Sequence, residues 1–310
     1  MSSGDHKFPS PIGGIPFPHD FAPALFFTIL YAITAPVGIY RMVNKRSRTL
    51  MILGTVIFSV ERIADFAIRA AEAEKPNIRT TKFFVGWLQS AYGMGFLSTT
   101  QDLNNLARLF VMKTTEGTSF PVGIPPVGRT ASRMEEEQPL AAMGGFEDEP
   151  ARRALLRRTG IATLVLRLLA VALAGVSGGL YYNGIASESQ ASLVQHTRYA
   201  STIIVLFLQF FGLSEVLWAL AARPKRTPRG PALYICSMIC IIVSLHDDHH
   251  RVSPDSDVQL HRLADVDGPG SLNGPTAKAL FYAFHIAPEW LSGAMLLGVN
   301  VKDTFGLSGA

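Results

Sequence analysis

Long apolar stretches recur along the 310 residues of this chain, and each is broken or bounded by only a few charged residues. The hydrocarbon core of a bilayer is about 30 Å thick, and a helix of roughly 20 apolar residues spans it. Charged residues make up 17% of the chain, against about 25% in an average soluble domain. We therefore predict an all-α, polytopic membrane protein. Its seven transmembrane helices are placed at 21–40, 49–70, 83–110, 160–182, 198–221, 231–248 and 277–299.

Basic residues are distributed unevenly between the two faces that this arrangement defines. The first, third and fifth loops and the C-terminal tail together carry fifteen Lys and Arg, whereas the opposite face carries six. Because cytoplasmic loops are enriched in Lys and Arg, we expect the N-terminus outside or in a lumen and the C-terminus in the cytoplasm. This predicts an integral protein of the plasma membrane or an endomembrane. Membrane lipids are its expected partners, and nucleic acid is not.

The spans and loops divide the chain into five parts. The third loop mixes Pro and Gly with short acidic runs, so we expect it to be a disordered cytoplasmic segment. The parts are a polar segment 1–20, helices one to three over 21–113, the third loop 114–158, helices four to seven over 159–299, and a tail 300–310. No feature of the sequence indicates the oligomeric state.

Small residues in the fourth span predict close contact with another helix. Gly175 and Gly179 form a small-x3-small step, which lets two helix backbones approach each other. We interpret this step as packing inside the bundle, with a dimer interface as the alternative.

The second span carries charged residues at a helical spacing. Glu61, Asp65 and Arg69 recur every four residues and share one helical face, and Arg62 lies three residues before Asp65. A charge in hydrocarbon costs at least about 2.5–3.5 kcal/mol on insertion scales, so charges that are retained usually face a bundle interior and a partner. This face is predicted to be a polar site or, alternatively, a self-neutralising structural cluster.

The seventh span adds two titratable groups four residues apart. His285 and Glu289 share one face and flank Pro288, whose missing N–H and bulky ring favour a kink there. Carboxylates beside Arg and His in a low-dielectric site can hold a charged headgroup or exchange protons. We therefore predict an outward-facing ligand pocket. Its candidate residues are Glu61, Asp65, Arg69, His285 and Glu289.

A histidine-rich sequence at the end of the sixth span suggests a metal site. His246, Asp247 and His250 offer imidazole and carboxylate ligands of the kind that bind zinc. Transmembrane hydrolases of the ceramidase and progestin-receptor type hold zinc with helix-borne His, Asp and Ser in a seven-helix bundle. This chain lacks the HxxxH of their last span and has His285 and Glu289 instead, which counts against that assignment. We predict no cofactor, with zinc and a membrane-embedded hydrolase as the alternative.

A second polar set lies nearer the cytoplasmic ends of the spans. Matching depths make salt bridges among its charged members plausible, so we interpret the set as a structural network, with a cytoplasmic gate as the alternative. Its members are Asp102, Asn105, Arg108, Arg167 and Glu215.

Four segments carry a resemblance to uncharacterised seven-helix integral membrane proteins of fungi. They are 19–24 (HDFAPA), 61–69, 281–291 (FYAFHIAPEWL) and 300–306 (NVKDTFG). The chain is also distantly similar to the fungal lipid-translocating exporter, or resistance-to-aminocholestane, family, which has seven helices and an outside N-terminus. The family's Glu and Arg of the second span and Gln and Arg of the third correspond approximately to Glu61, Arg69, Gln89 and Arg108. The resemblance implies a membrane protein that handles lipids or amphiphiles.

These observations lead to one functional hypothesis and two alternatives. The main hypothesis is a non-enzymatic membrane protein that binds or translocates a small amphiphile, lipid or ion through the outward-facing pocket. The alternatives are the zinc hydrolase and a seven-helix receptor whose long third loop binds a cytoplasmic partner.

Overall fold

The fold is all-α in the described part of the chain, which confirms the predicted fold class. The computed structural model describes residues 11–79, 81–117, 147–185, 187–251 and 273–305, without the side chains of 95, 96, 185 and 244–251. Over these ranges the regular structure consists of helices, and no strand is found among them.

Seven long helical elements follow one another along the chain, joined in the described ranges by short turns. The first six are α1 (Phe21–Val43), α2 (Leu53–Glu74), α3 (Lys82–Lys113), α4 (Pro150–Leu180), α5 (Glu188–Ala222) and α6 (Arg229–Arg251). The seventh, α7, covers 275–298 in three consecutive parts: α-helical Pro275–Leu280, π-helical Phe281–Ile286 and α-helical Ala287–Gly298. A single turn, α8 (Val301–Thr304), ends the described chain.

Three of these helices are long and apolar enough to cross a membrane by length and composition. They are Pro18–Val43, which adds the preceding 3₁₀ turn to α1, then Pro150–Leu180 and Glu188–Ala222. Charged residues interrupt the apolar sequence of α2, with four of them between Glu61 and Arg69.

The helices α4 and α5 begin well before the apolar stretches predicted from the sequence. Helix α4 starts at Pro150 rather than at 160, with Pro in the first turn, where its missing N–H is not needed. Helix α5 starts at Glu188 rather than at 198. These added turns are polar, so they leave no signal in hydropathy. Residues 150–158 of the predicted disordered loop are therefore helical, whereas 118–146 lie outside the described residues.

Helix α3 is the centre of the bundle and packs against α2, α4, α5, α6 and α7. A Cβ on Gly178 of α4 would lie 2.5 Å from the Ser90 Cα of α3, so the two backbones approach closely there. The expected contact residue Gly179 has open space beside it, which corrects that prediction by one position. Helix α1 packs on α2 and α7 and completes the bundle.

Charged side chains lie among the apolar residues of the interior, and many large apolar side chains lie on the outside, which is unusual for a soluble protein. Arg62, Asp65 and Glu289 are at most 1% exposed in the interior. Large apolar side chains cover the outside, and Ile33 of α1 and Ile161 of α4 are each 65% exposed. The site described next is therefore enclosed by apolar helices.

Candidate functional site

Arg62 of α2 holds two carboxylates at the centre of the bundle. Its Nε and Nη2 donate to the two carboxylate oxygens of Glu289 at 2.8 Å each, which is the bidentate geometry of a strong ion pair. Its Nη1 donates to Asp65 Oδ2 at 2.9 Å. We call Arg62, Asp65 and Glu289, with the neighbouring Tyr31 and Trp87, the central cluster.

Aromatic groups complete the hydrogen bonding of the central cluster. The Tyr31 hydroxyl donates to Glu289 Oε1 at 2.9 Å, and Trp87 Nε1 donates to Asp65 Oδ1 at 2.8 Å. The Arg62 guanidinium also lies 4.6 Å from the centre of the Phe58 ring, within cation–π range. The cluster nevertheless has two carboxylates for one guanidinium, so its formal charge is −1 unless one carboxyl is protonated.

The π-helical part of α7 lies directly before this cluster. Pro288 has no N–H, so it cannot donate to the carbonyl four residues earlier, as a residue in an α-helix would. The preceding N–H, that of Ala287, donates to the Tyr282 carbonyl five residues back, which is the π-helical pattern. The irregularity predicted around Pro288 is therefore a π-helical segment. Such segments occur frequently at functional sites. This one carries Tyr282 and His285.

A second charged group, the rim cluster, lies two helical turns along α2 from Arg62. It consists of Arg69, Asp20 and Lys278. The Asp20 carboxylate accepts from Arg69 Nη2 at 2.9 Å and from Lys278 Nζ at 3.0 Å, and all three side chains are buried. Arg69 Nε also donates to the Tyr282 hydroxyl at 2.9 Å. The two clusters thus follow one another toward the end of the bundle at which α1 and α7 begin.

The chain before α1 covers that end of the bundle. We call residues 11–20 the strap. Its Gly13 carbonyl accepts from Arg69 Nη2 at 2.5 Å and from Lys278 Nζ at 2.8 Å. Gly13 has φ +73°, and a Cβ there would lie 2.6 Å from the Phe281 ring, so this turn requires glycine.

Side-chain amides hold the strap on the bundle. Gln89 Oε1 of α3 accepts from the Ile12 N–H at 2.9 Å, and Asn273 Oδ1 accepts from the Ile15 N–H at 3.0 Å. Ile12 and Ile15 are themselves buried. The strap is therefore docked on the mouth of the bundle by both polar and apolar contacts.

Glu72 is a buried carboxylate without a hydrogen bond in the described part of the structure. It is 1% exposed, one turn beyond Arg69 on α2, and neither of its oxygens has a partner there. It interacts electrostatically with Arg69, Arg79 and Lys278 at longer range. A buried charge without a direct partner is unusual and is often associated with function.

The five residues predicted to form the pocket are only partly brought together. Arg62 joins Asp65 to Glu289, while Arg69 belongs to the rim cluster. Glu61 is half-buried and makes no ion pair within 4.0 Å among the described residues, and His285 is half-buried with its ring stacked on Phe281. The residues of the two clusters that the sequence did not single out are Tyr31, Trp87, Asp20 and Lys278. The signal available for Asp20 and Lys278 was their shared depth, since each lies at the same end of a predicted span.

The second predicted polar set is dispersed. Asp102 is buried and accepts from the Thr55 N–H at 2.7 Å and the Thr55 hydroxyl at 2.9 Å. Asp102 is thus bonded to the first turn of α2. The four charged members of the set make no ion pair with one another within 4.0 Å, so the predicted salt bridges among them are wrong. These members are Asp102, Arg108, Arg167 and Glu215. Longer-range attraction links Arg167 to Asp102 and Arg108 to Glu215. Asn105 is half-buried beside them.

A separate set of ion pairs ties the helices together at the opposite end of the bundle. Arg223, at the end of α5, pairs with Glu149 and donates to the Thr114 carbonyl at 3.1 Å. The Gly117 N–H donates to the Asp148 carboxylate, and this bond together with the Arg153 guanidinium lowers the pKa of that carboxyl below its ordinary value. These contacts connect α3, α4 and α5 where the third loop leaves the bundle.

The predicted zinc ligands fall outside the described side chains. His246, Asp247 and His250 belong to the last part of α6, where only the helical backbone is described. Among the residues that are described, no group of three His, Cys, Asp or Glu side chains is placed to hold a metal ion. The zinc alternative remains a prediction.

No protein-family model, curated protein or solved structure matches this chain.

Proposed function

We propose that this chain is an integral membrane protein with seven spans and an outside N-terminus. In this proposal it binds or translocates a small amphiphile, lipid or ion through the pocket formed by the central and rim clusters. The observation that carries the proposal is a row of buried charges enclosed by helices with apolar outer surfaces. In a membrane protein, charges of this kind usually line a ligand or ion path.

The lengths of the helices support seven spans. Even α2, with 22 residues, is about 33 Å long at ~1.5 Å per residue, enough for a bilayer core. Three of its charged residues, Arg62, Asp65 and Arg69, face the bundle interior and form ion pairs there, which lowers the cost of placing them in a membrane.

The charge balance of the central cluster supports ion exchange. Asp65 and Glu289 share the guanidinium of Arg62, so the cluster has one carboxylate in excess. The excess negative charge favours binding of a proton or another cation. The strap covers the pocket in this structure, and access from outside requires the strap to move. In this proposal the structure corresponds to the closed state of an outward-facing pocket.

The test uses the purified chain reconstituted into liposomes. Proton flux is followed with an enclosed pH-sensitive dye, and lipid translocation with a fluorescent phosphatidylcholine that an external reductant quenches. We expect the wild type to support at least one of these processes. Glu289→Gln and Asp65→Asn should reduce it to the level of protein-free liposomes, since each removes a charged acceptor of Arg62.

Glu74→Gln is the matched control, because Glu74 is exposed at the end of the same helix. It should retain the wild-type rate. Wild-type rates in both central-cluster variants would reject the pocket, and the absence of both fluxes from the wild-type protein would reject translocation.

A further inference from the structure

Asp20 occupies the rim cluster in the way that a bound anion would. Its carboxylate accepts three hydrogen bonds: from Arg69 Nη2 at 2.9 Å, from Lys278 Nζ at 3.0 Å and from the Phe17 N–H at 3.0 Å. Arg69 and Lys278 are only 1% and 2% exposed. Two buried cations on different helices thus converge on one carboxylate supplied by the covering segment.

The remaining contacts of these cations depend largely on the strap as well. Lys278 Nζ donates to the Gly13 carbonyl at 2.8 Å and to the Ile15 carbonyl at 2.5 Å, and Arg69 donates to the Gly13 carbonyl. Outside the strap, Arg69 Nε donates a hydrogen bond to the Tyr282 hydroxyl. Displacement of the strap would therefore leave two cations in a buried site without most of their acceptors.

A charge count indicates which kind of group can replace the Asp20 carboxylate. The rim cluster has two cations, Arg69 and Lys278, and one carboxylate, Asp20, and the Glu72 carboxyl interacts with both cations at longer range. If Asp20 leaves with the strap, Glu72 can compensate one of the two cations. An open rim in which Arg69 and Lys278 both remain charged then has an excess positive charge, which attracts an anion.

We infer that the rim cluster is a binding site for an anionic headgroup, a phosphate or a carboxylate, and that Asp20 is its built-in substitute in the closed state. The inference rests on the proposed function, of which it names the ligand class. The planar Arg69 guanidinium and the Lys278 ammonium together suit such a group, since Arg binds carboxylate and phosphate in a defined geometry and Lys adds a mobile charge. A lipid headgroup and a free anion share this chemistry.

The first experiment removes the substitute. Asp20→Ala leaves Arg69 and Lys278 without their carboxylate, so the midpoint of thermal unfolding of the full-length protein in detergent should fall. Inorganic phosphate should restore most of that loss in a saturable manner. Sodium chloride at the same ionic strength should restore little. If Asp20→Ala does not fold, the isosteric Asp20→Asn is examined in the same way.

Two control variants isolate the site. Asp65→Ala also removes a buried carboxylate, but Arg62 keeps both oxygens of Glu289, so phosphate should have no specific effect. In Asp20→Ala combined with Lys278→Met, one cation is lost with the carboxylate, and the rescue by phosphate should disappear. Equal rescue of Asp20→Ala and Asp65→Ala would overturn the inference.

The second experiment determines whether the wild-type protein binds a lipid headgroup or a free anion. Its unfolding midpoint is measured with inorganic phosphate, with dioleoyl phosphatidic acid and with dioleoylglycerol, which has no anionic headgroup. A rise with phosphatidic acid alone identifies a lipid headgroup, and a rise with phosphate identifies a free anion. If neither stabilises the wild type although phosphate rescues Asp20→Ala, Asp20 is a permanent structural partner and the inference is wrong.

These measurements are independent of transport. Rescue by phosphate can fail while Glu289→Gln still abolishes flux, which rejects the anion site alone. If Glu289→Gln has normal flux while phosphate still rescues Asp20→Ala, the proposed transport path through the central cluster is rejected and the anion site is not.

Discussion

Arg62 is the residue on which the central cluster depends most. It is fully buried and donates to both Asp65 and Glu289, so its loss leaves two carboxylates without a cation in a site that water does not reach. Breaking a buried pair by removing one partner typically costs about 3–5 kcal/mol. We therefore expect Arg62→Met to lower the free energy of unfolding by about this amount, measured by denaturant titration in mixed micelles.

The control for Arg62 is Arg46→Met, in the exposed turn after α1. It removes the same charge from a position in contact with water, and its effect should be within about 0.5 kcal/mol of zero. A similar loss for the two variants would mean that charge number, rather than the buried pairing, determines stability.

At the scale of helices, the contact between α3 and α4 gives a prediction with an adjacent control. A Cβ at Gly178 would lie 2.5 Å from the Ser90 Cα, a backbone atom that cannot move without shifting α3, whereas Gly179 faces open space. Overpacking of this kind costs about 1–3 kcal/mol. Gly178→Ala should therefore lower the midpoint of thermal unfolding, while Gly179→Ala should leave it unchanged or slightly higher. The reverse order would contradict the described packing.

Helices α4 and α5 show which features of a helix can be predicted from the sequence. Hydropathy located α4 and α5, because their middle turns are predominantly apolar, but it missed the first turns of both, which are more polar. The small-residue step at Gly175 and Gly179 correctly suggested close packing of α4, yet the contact falls on Gly178. Rotation of a helix about its axis depends on its neighbours, and one residue changes that direction by about 100°.

At the scale of the whole molecule, the predicted orientation separates the two chain ends. With the seven proposed spans, the excess of basic residues on one face predicts an N-terminus outside or in a lumen and a C-terminus in the cytoplasm. For protein at the plasma membrane of intact cells, an antibody should therefore reach a tag placed before Met1, and it should reach a tag after Ala310 only once the membrane is permeabilised. Both tags on one side would require an even number of spans and would reject this topology.

The sequence predicted only part of the candidate site. Asp65, Arg69 and Glu289 were identified because charges within apolar stretches are rare. The i,i+3 spacing also indicated that Arg62 lies beside Asp65, and the two form an ion pair. The pairing of Arg62 with Glu289 was not identified, because the two are 227 positions apart in the chain and no spacing rule covers that separation. The strap left little signal, since apart from the Asp20 carboxylate its contacts to Arg69 and Lys278 use backbone carbonyls, which every residue possesses. The predicted polar segment 1–20 thus contains one wall of the candidate pocket.

The docking of the strap has a consequence for how the protein is made. Asp20 leaves the ribosome 258 residues before Lys278, which it contacts. The mouth of the bundle can therefore close only after the start of α7 has been made. Until then Arg69 and Asp20 can pair with each other alone, so nascent chains halted before α7 should be the forms that cellular quality control removes.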